Sequence, residues 1–278
     1  MPTRDRPNPA DPPDRLDADA LRVSCRLATV EYLDETPSTM VRARILAEDP
    51  AAALPALVIA GRQTAGRGRR GAGWWQAPGS LAMSLVVDAA PHGTVTALVS
   101  LACGVAVAET VRVLEPDVDA LVRWPNDVVA EGRKLAGILV ETAPRGRIVI
   151  GVGVNTSGHA ADAPESLRPR VATIPDLVGR PLDRGAFVVA LLPRLLRLLL
   201  DAACAPPAVV GRYRPLCSLS GGSVTVHHGD GRRLTGPCLG IDADGALVVD
   251  TAAGPVHLVT GSLTPPADVW RGGDDRGG

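Results

Sequence analysis

Aromatic side chains are scarce in this sequence: one Phe, two Tyr and four Trp among 278 residues. A sheet that reads nucleic acid by stacking bases on aromatic rings is therefore not expected. An excess of one charge is also missing. Twenty-nine Lys and Arg stand against 30 Asp and Glu, a net charge of -1, so the whole chain is not built to coat a polyanion, although a local basic patch stays open. The five cysteines, Cys25, Cys103, Cys204, Cys217 and Cys238, are odd in number and share no CxxC spacing. That argues against a disulfide framework or a zinc knuckle and fits a reducing cytoplasm. The N-terminus has no apolar segment of the secretory type. Apolar stretches are broken by Arg or Pro before the roughly 18 to 20 residues that span a bilayer, so no membrane span is expected.

What is present is a globular composition, 46% hydrophobic and 21% charged, long enough for one large domain and a small one. Residues 1–20 hold five prolines, eight charges and a single Leu and read as a disordered tail, as do residues 267–278. Residues 21–216 mix helix and strand signals. Ser38 is a candidate helix N-cap, with Met40, Ile45 and Leu46 as the apolar face. Strands are expected at Leu57–Ala60, Leu81–Asp88 (half-buried by its alternation), Ala120–Trp124, Asp127–Ala130, Lys134–Thr142 and Arg147–Val154. Helices are expected at Thr94–Leu114 and Phe187–Ala203, the latter kinked at Pro193. Short turns between successive strands mean antiparallel pairing, which makes the fold class α+β around a mainly antiparallel sheet. Residues 217–266 show only short strands and turns, Gly229–Gly231 among them, and suggest a small SH3-like barrel packed on the first domain.

Three segments could carry chemistry. The stretch from Gly61 to Trp75 contains Gly66-x-Gly68-x-x-Gly71, formally a dinucleotide fingerprint, but residues 72–79 after it cannot open a helix. With Arg62, Arg67, Arg69 and Arg70 among its glycines it reads either as an anion-seeking loop, since guanidinium forks bind phosphate and carboxylate, or as a solvated basic loop. In the second segment Lys134 stands at the mouth of an apolar strand, either facing an anion or simply reaching solvent. Gly137 within that strand allows a close approach by a ligand or another backbone, and Asn126-Asp127 reads as a turn pair. The third, Gly151 to Asn155, ends a strand with an amide that could match an adenine edge or merely make a turn.

Taken together, in this order and spacing, the sequence resembles the biotin–protein ligase family. The matching stretches are Pro37–Thr39, Gln63–Gly71 with Trp74, Trp124–Asp127, Lys134–Leu139 and Gly151–Asn155, and the resemblance runs from about Tyr32 to Pro266. It implies a catalytic domain like that of class II aminoacyl-tRNA synthetases, an SH3-like C-terminal domain, and biotin and ATP with Mg²⁺ as ligands. Under it, Ser38, Thr39 and Gln63 would bond the biotin head, with Met40 beside them where many members have Asn. Gly66, Arg67, Gly68 and Arg69 would close over biotin and phosphate. Lys134 would hold the carboxylate and the α-phosphate, joined in catalysis by Arg67 and Arg69, with Gly137 and Gly151 in the biotin pocket. Arg69, Arg70, Trp74 and Asn155 would meet ATP, with Trp74 packed on the adenine and Asn155 on its edge. Asp127 is a candidate metal ligand. The implied partner is the biotin carboxyl carrier domain of a carboxylase. Arg123 stands where the family often has Lys. The Pro-rich N-terminus leaves no room for the helix-turn-helix that makes some members repressors, so no specific DNA binding is expected. Monomer and homodimer both stay open. The rival reading is a lipoate or octanoate ligase or transferase of the same fold, which would need a pocket for an aliphatic chain.

Overall fold

The computed structural model describes residues 16–89, 97–227 and 233–263. The first helix, α1 (Ala18–Ser24), starts on Asp17, whose carboxylate accepts from the Ala20 N–H at 3.0 Å. Leu16 and Leu21 are buried, so the expected tail is ordered from residue 16; burying these two leucines outweighs the polar composition around them. Residues 1–15 and 264–278, and with them the C-terminal tail, lie outside the described residues, as do Thr94–Thr96 and the Gly229–Gly231 turn.

Strand β1 (Thr29–Thr36) pairs in parallel with β2 (Ala56–Gln63), and α2 (Thr39–Glu48) makes the crossover between them. This is the one parallel pair in the mainly antiparallel sheet among the described residues, and β1 itself carries no clear strand signal: Glu31, Asp34 and Glu35 interrupt its alternation. The remaining strands are antiparallel. They are β3 (Leu81–Asp88), β4 (Leu121–Arg123), β5 (Asp127–Ala130), β6 (Arg133–Ala143) and β7 (Arg147–Val154), in the order β1-β2-β3-β7-β6-β5-β4. Strand β3 is central and buried on both faces except at Asp88, not half-buried. Its apparent alternation comes from small Ala82 and Ser84, which lie under a cavity and α2.

One face of this sheet carries α3 (Ala97–Leu114) and α5 (Arg184–Cys204), whose Leu101, Val105, Phe187 and Leu191 share one buried core with Leu81, Met83, Ile138 and Val152. By length and composition α3 could cross a membrane, but most of it is buried in this core. Helix α5 runs through Pro193, which is exposed. The short α4 (Ile174–Val178) and α6 (Pro206–Tyr213) complete the helices. On the other face α2 buries Met40, Ala43, Leu46 and Ala47 on Val58, Val86 and Val149. Ile45, expected on that face, is 51% exposed; at 100° per residue it lies away from the stripe through 40, 43 and 47.

A second sheet holds β8 (Ser223–His227), β9 (Arg233–Ile241), β10 (Leu247–Val249), β11 (Val256–Leu258) and β12 (Ser262–Leu263), all antiparallel, in the order β11-β10-β9-β8-β12. It docks where Trp124, 1% exposed, donates its indole N–H to the Gly245 carbonyl at 3.1 Å. The Leu98 N–H, at the start of α3, donates to the Asp244 carbonyl at 3.2 Å.

Candidate functional site

Strand register sets the floor of the site. Across the α2 face of the first sheet, Ala60 pairs with Ala82, Ala82 with Gly153, Gly153 with Gly137, Gly137 with Asp127, and Asp127 with Arg123. Four residues with little or no side chain are thus succeeded by a carboxylate and a guanidinium. A parallel row runs through Val58, Ser84, Gly151 and Leu139. The small residues leave a cavity of about 250 Å³ beside α2.

Lys134 reaches this face through an irregularity. Asp127 pairs with Gly137 and Val128 with Ala136, but Val129 pairs with Lys134, so Leu135 is an extra residue in β6. In a regular strand residues 134 and 137 point to opposite faces; a bulge between them brings both to one face. The Lys134 side chain lies across Gly137: a Cβ there would stand 3.0 Å from Lys134 Cε. The ammonium is 2.6 Å from Asp127 Oδ1 and 5.4 Å from the centre of the Trp74 ring. Arg123 takes the other oxygen, Oδ2, at 2.9 Å. Burial alone would push the Asp127 carboxyl up, but the two cations outweigh it and hold it below the usual carboxylate range.

The arginine segment folds back on itself as a small hairpin. The Trp74 N–H donates to the Gly66 carbonyl at 2.9 Å, Arg67 bridges Gly73, and the Gly68 N–H donates to the Ala72 carbonyl at 2.7 Å. The turn uses positive φ at Arg70 and Gly71. Arg69 donates to Asn126 Oδ1 at 3.2 Å, and Asn126 Nδ2 donates to the Ile138 carbonyl at 2.8 Å, so Asn126 ties the loop to β6. Burial, then neighbouring Arg70, lower the Arg69 pKa, while Asp127 raises it. Arg70 reaches Thr260, in the connection between β11 and β12 of the second sheet, at 3.3 Å. Arg62 pairs with Glu35 at the C-terminal end of β2, next to Gln63, but does not line the cavity.

At the other end, Gln63 Oε1 accepts from the Thr39 N–H at 2.9 Å and from its hydroxyl at 3.2 Å, and Thr39 Oγ1 accepts from Ser84 at 2.8 Å. Ser38 occupies the N-cap position of α2, but its side chain caps nothing. Its hydroxyl is buried without a hydrogen-bond partner and the residue lines the cavity, so the chain spends a cap there on an unmet polar atom. Met40 fills the space above Gly151: its sulfur lies 2.7 Å from where a Cβ would sit.

The structure thus brings Ser38, Thr39, Met40, Gln63, Arg67, Gly68, Arg69, Arg70, Trp74, Asp127, Lys134, Gly137 and Gly151 to one cavity. Gly66 packs directly behind it, against Trp74 and Gln63. Three expectations change. Asn155 does not line the cavity; it is 1% exposed, with its amide nitrogen donating to the Ala172 carbonyl at 2.9 Å, so a two-point match to an adenine edge is not free in this conformation. Only its Oδ1 lacks a partner. Trp74 lies on the glycine floor: its indole carbons are 2.5 and 2.6 Å from a Cβ built at Gly153 and 3.1 Å from one at Gly137. The close approach that Gly137 permits is therefore taken by Trp74 and Lys134. Asp127 has both carboxylate oxygens engaged by cations, and among the described residues no group of three or more His, Cys, Asp or Glu could hold a metal. The residues present do not fit a protein-held ion.

Sequence reasoning passed over Asn126, Ser84 and Gly153 as site residues. Ser84, a hydroxyl on an otherwise apolar central strand, and Gly153, the second glycine of its strand, were the available signals. Gly261 and Ser262 of the second sheet also line the cavity, and nothing local to them announces it.

The model of the biotin/lipoate A/B protein ligase family matches residues 32–155. The biotin–[acetyl-CoA-carboxylase] ligase of Mycobacterium tuberculosis is 34% identical over 213 residues, covering 74% of this chain and 77% of that protein. The chain belongs to the biotin–protein ligase family. A second member, the biotin–[acetyl-CoA-carboxylase] ligase of Paracoccus denitrificans, is 30% identical over 249 residues and is covered over its full length, against 87% of this chain. The fold agrees with this membership. The biotin protein ligase of Aquifex aeolicus, solved in complex with biotin and ATP, superposes with a TM-score of 0.74 at 24% identity, over 85% of this chain and 98% of that one.

Proposed function

We propose that this member of the biotin–protein ligase family activates biotin with ATP and transfers it to a lysine of a biotin carboxyl carrier domain. One observation carries the reading: a half-buried lysine, clamped by a carboxylate and an indole, faces a glycine-floored cavity roofed by an arginine hairpin. A carboxylate is a poor acyl donor to an amine. Attack of the biotin carboxylate on the α-phosphate of ATP, the second substrate, forms an acyl-adenylate and releases pyrophosphate. The acceptor amine then displaces AMP and forms the amide. The two anions repel until their charge is offset. Lys134, with Arg67 and Arg69, supplies that offset in a pocket where charge is screened less than in water.

Ser38 Oγ is an unmet polar atom for the ureido head, and Thr39 and Gln63 stand beside it. Trp74, with its buried and unpartnered indole N–H, is the group that must shift or be bonded when the adenylate arrives. Arg70 is the hairpin's arginine toward the nucleotide. Asn155 would offer its free Oδ1 to the base only after a local rearrangement. Magnesium is required as the counter-ion of the triphosphate; no step is assigned to a protein-bound ion. The hairpin shields the adenylate from water.

The finer fold reading belongs to the same proposal. The first sheet with its helices is the class II synthetase-like catalytic domain, residues 21–216. The second sheet is the SH3-like domain, residues 217–266. The chain acts in the cytoplasm, away from membranes, and binds no specific DNA site. The test is ATP–pyrophosphate exchange by the purified chain. Exchange that depends on biotin and not on lipoate, together with streptavidin-detected labelling of one carrier lysine, is expected. Exchange driven by lipoate alone would replace the reading with the lipoate ligase.

A further inference from the structure

Two thiols outside the ligand cavity lie side by side at the junction of the helical layer and the second sheet. Cys217 comes directly after the short turn Arg214–Leu216 that ends α6, and Cys238 lies on β9. Both are free and 8% exposed, and each thiol perturbs the other. They line one cavity of about 250 Å³, with Tyr213, Arg214 and Ser220 also in its wall. Small polar oxidants fit a chamber of that size and lining.

The other buried thiols differ. Cys103, inside α3, is pushed up to about 12 by burial, and burial also raises Cys25. At Cys217 the neighbouring Cys238 thiol, helped by Tyr213, the Leu219 N–H and Ser220, outweighs burial and brings the thiol down, while Cys238 moves up. A thiolate beside a protonated thiol is the pairing of an oxidisable cysteine with its resolving partner.

We infer that Cys217 and Cys238 form a peroxide-oxidisable pair that closes into a disulfide, a modification site separate from the ligand cavity. The Cys217 thiolate attacks one oxygen of hydrogen peroxide, the O–O bond breaks, and Cys217 becomes a sulfenic acid as hydroxide leaves. The Cys238 sulfur then attacks the Cys217 sulfur and the S–O bond breaks. The departing hydroxide takes the Cys238 proton as water. A thiolate and a thiol are oxidised, and one peroxide is reduced to one water and one hydroxide, which takes a proton from solvent to become the second water.

The position gives the bond a mechanical consequence. The backbone of Cys217 bridges Val122 of β4, and the Ser218 N–H donates to the Val122 carbonyl at 3.0 Å. Strand β4 continues through Trp124 to Asn126 and Asp127. The disulfide therefore fastens β9 of the second sheet to the edge of the first, beside the segment that carries the Lys134 clamp. This does not depend on which acyl group the chain ligates.

The test treats the full chain with stoichiometric hydrogen peroxide at neutral pH, blocks remaining thiols by alkylation and maps non-reduced peptides by mass spectrometry. The expected result is a joined Cys217–Cys238 peptide pair that dithiothreitol separates, formed while Cys103 is still a free thiol. In Cys238→Ser, Cys217 should stop at a sulfenic acid that dimedone traps. The inference is overturned if Cys217 and Cys238 are both recovered as thiols after exposed Cys204 is fully oxidised. It is equally overturned if Cys217 is oxidised in the parent chain without joining Cys238. The parent-chain map decides the matter even if the variant fails to fold.

Discussion

Asp127 shows how one side chain can set the chemistry of others. It answers Lys134 with one oxygen and Arg123 with the other, so removing its charge frees two cations beside a site meant for anions. Asp127→Asn should keep biotin binding within a few-fold and lower adenylate formation on the order of 10- to 100-fold, because Lys134 loses its aim. The magnesium concentration for half-maximal rate should not move, since both carboxylate oxygens are engaged by Lys134 and Arg123; a large rise would return Asp127 to the metal. The direction of its pKa also gives a stability test. The folded-state value lies below that of the unfolded chain, near ~3.9. The stabilisation is thus complete above that value and is lost as pH falls through the folded value. Urea midpoints between pH 6 and pH 3 should fall less steeply in Asp127→Asn than in the parent. The glycine floor gives a comparison of two equal changes. A methyl at Gly137 meets the movable end of Lys134 at 3.0 and 3.1 Å and only grazes the Trp74 ring at 3.1 Å, whereas one at Gly153 meets that rigid ring at 2.5 to 2.8 Å. Gly153→Ala should therefore raise the biotin KM more than Gly137→Ala, as steady-state exchange would record.

The glycine–arginine hairpin is the element with least support from packing. Arg67, Arg70 and Gly71 through Gly73 are exposed or half-buried, and the three backbone links at its neck, with Arg69 on Asn126, are what hold it. Elements of that kind open locally at low cost. Arg69→Ala should bind biotin less tightly and release adenylate into solution, seen as acceptor-independent labelling of bystander lysines. Retention of adenylate equal to the parent would refute the hairpin's sealing role. Much at this scale was legible in the sequence because its causes are local. Glycines and charge marked the loop, turn residues marked β5 through β7, and these brought most of the cavity's wall together. What was not legible depends on distant chain. The bulge at Leu135 exists only relative to the register of β5. The burial of Asn155 comes from Ala172, seventeen positions on. Strand β1 is an edge strand, with acids where a buried strand would alternate, and only its pairing with β2 through α2 reveals it. Helix α1 escaped because two buried leucines sit among prolines and charges.

At the scale of the whole molecule, the site belongs to both sheets. Gly261 and Ser262 stand in the cavity wall, and Arg70 reaches across to Thr260. The second sheet is small, so its place is set by how it docks rather than by a core of its own. The docking rests on a few named contacts: Trp124 on the Gly245 carbonyl, Leu98 on Asp244, and Gly245 itself. Gly245 has φ +81, and a Cβ there would stand 2.5 Å from the Leu98 nitrogen and 2.8 Å from its Cα. Neither backbone can give way cheaply, and the φ disfavours an L side chain. Gly245→Ala should therefore loosen the second sheet from the N-terminus of α3, while the first sheet, whose central strands are buried on both faces, stays intact. Hydrogen exchange read by mass spectrometry should show faster exchange in β8 through β12 and in the first turn of α3, with β3 and β7 as protected as in the parent. Biotin-dependent pyrophosphate exchange should fall at the same time, because part of the cavity wall has moved. Unchanged protection in β8 through β12 would mean that the second sheet is held by something other than this contact. Uniform loss of protection in both sheets would mean that the two fold as a single cooperative unit and that the site cannot be loosened from one side.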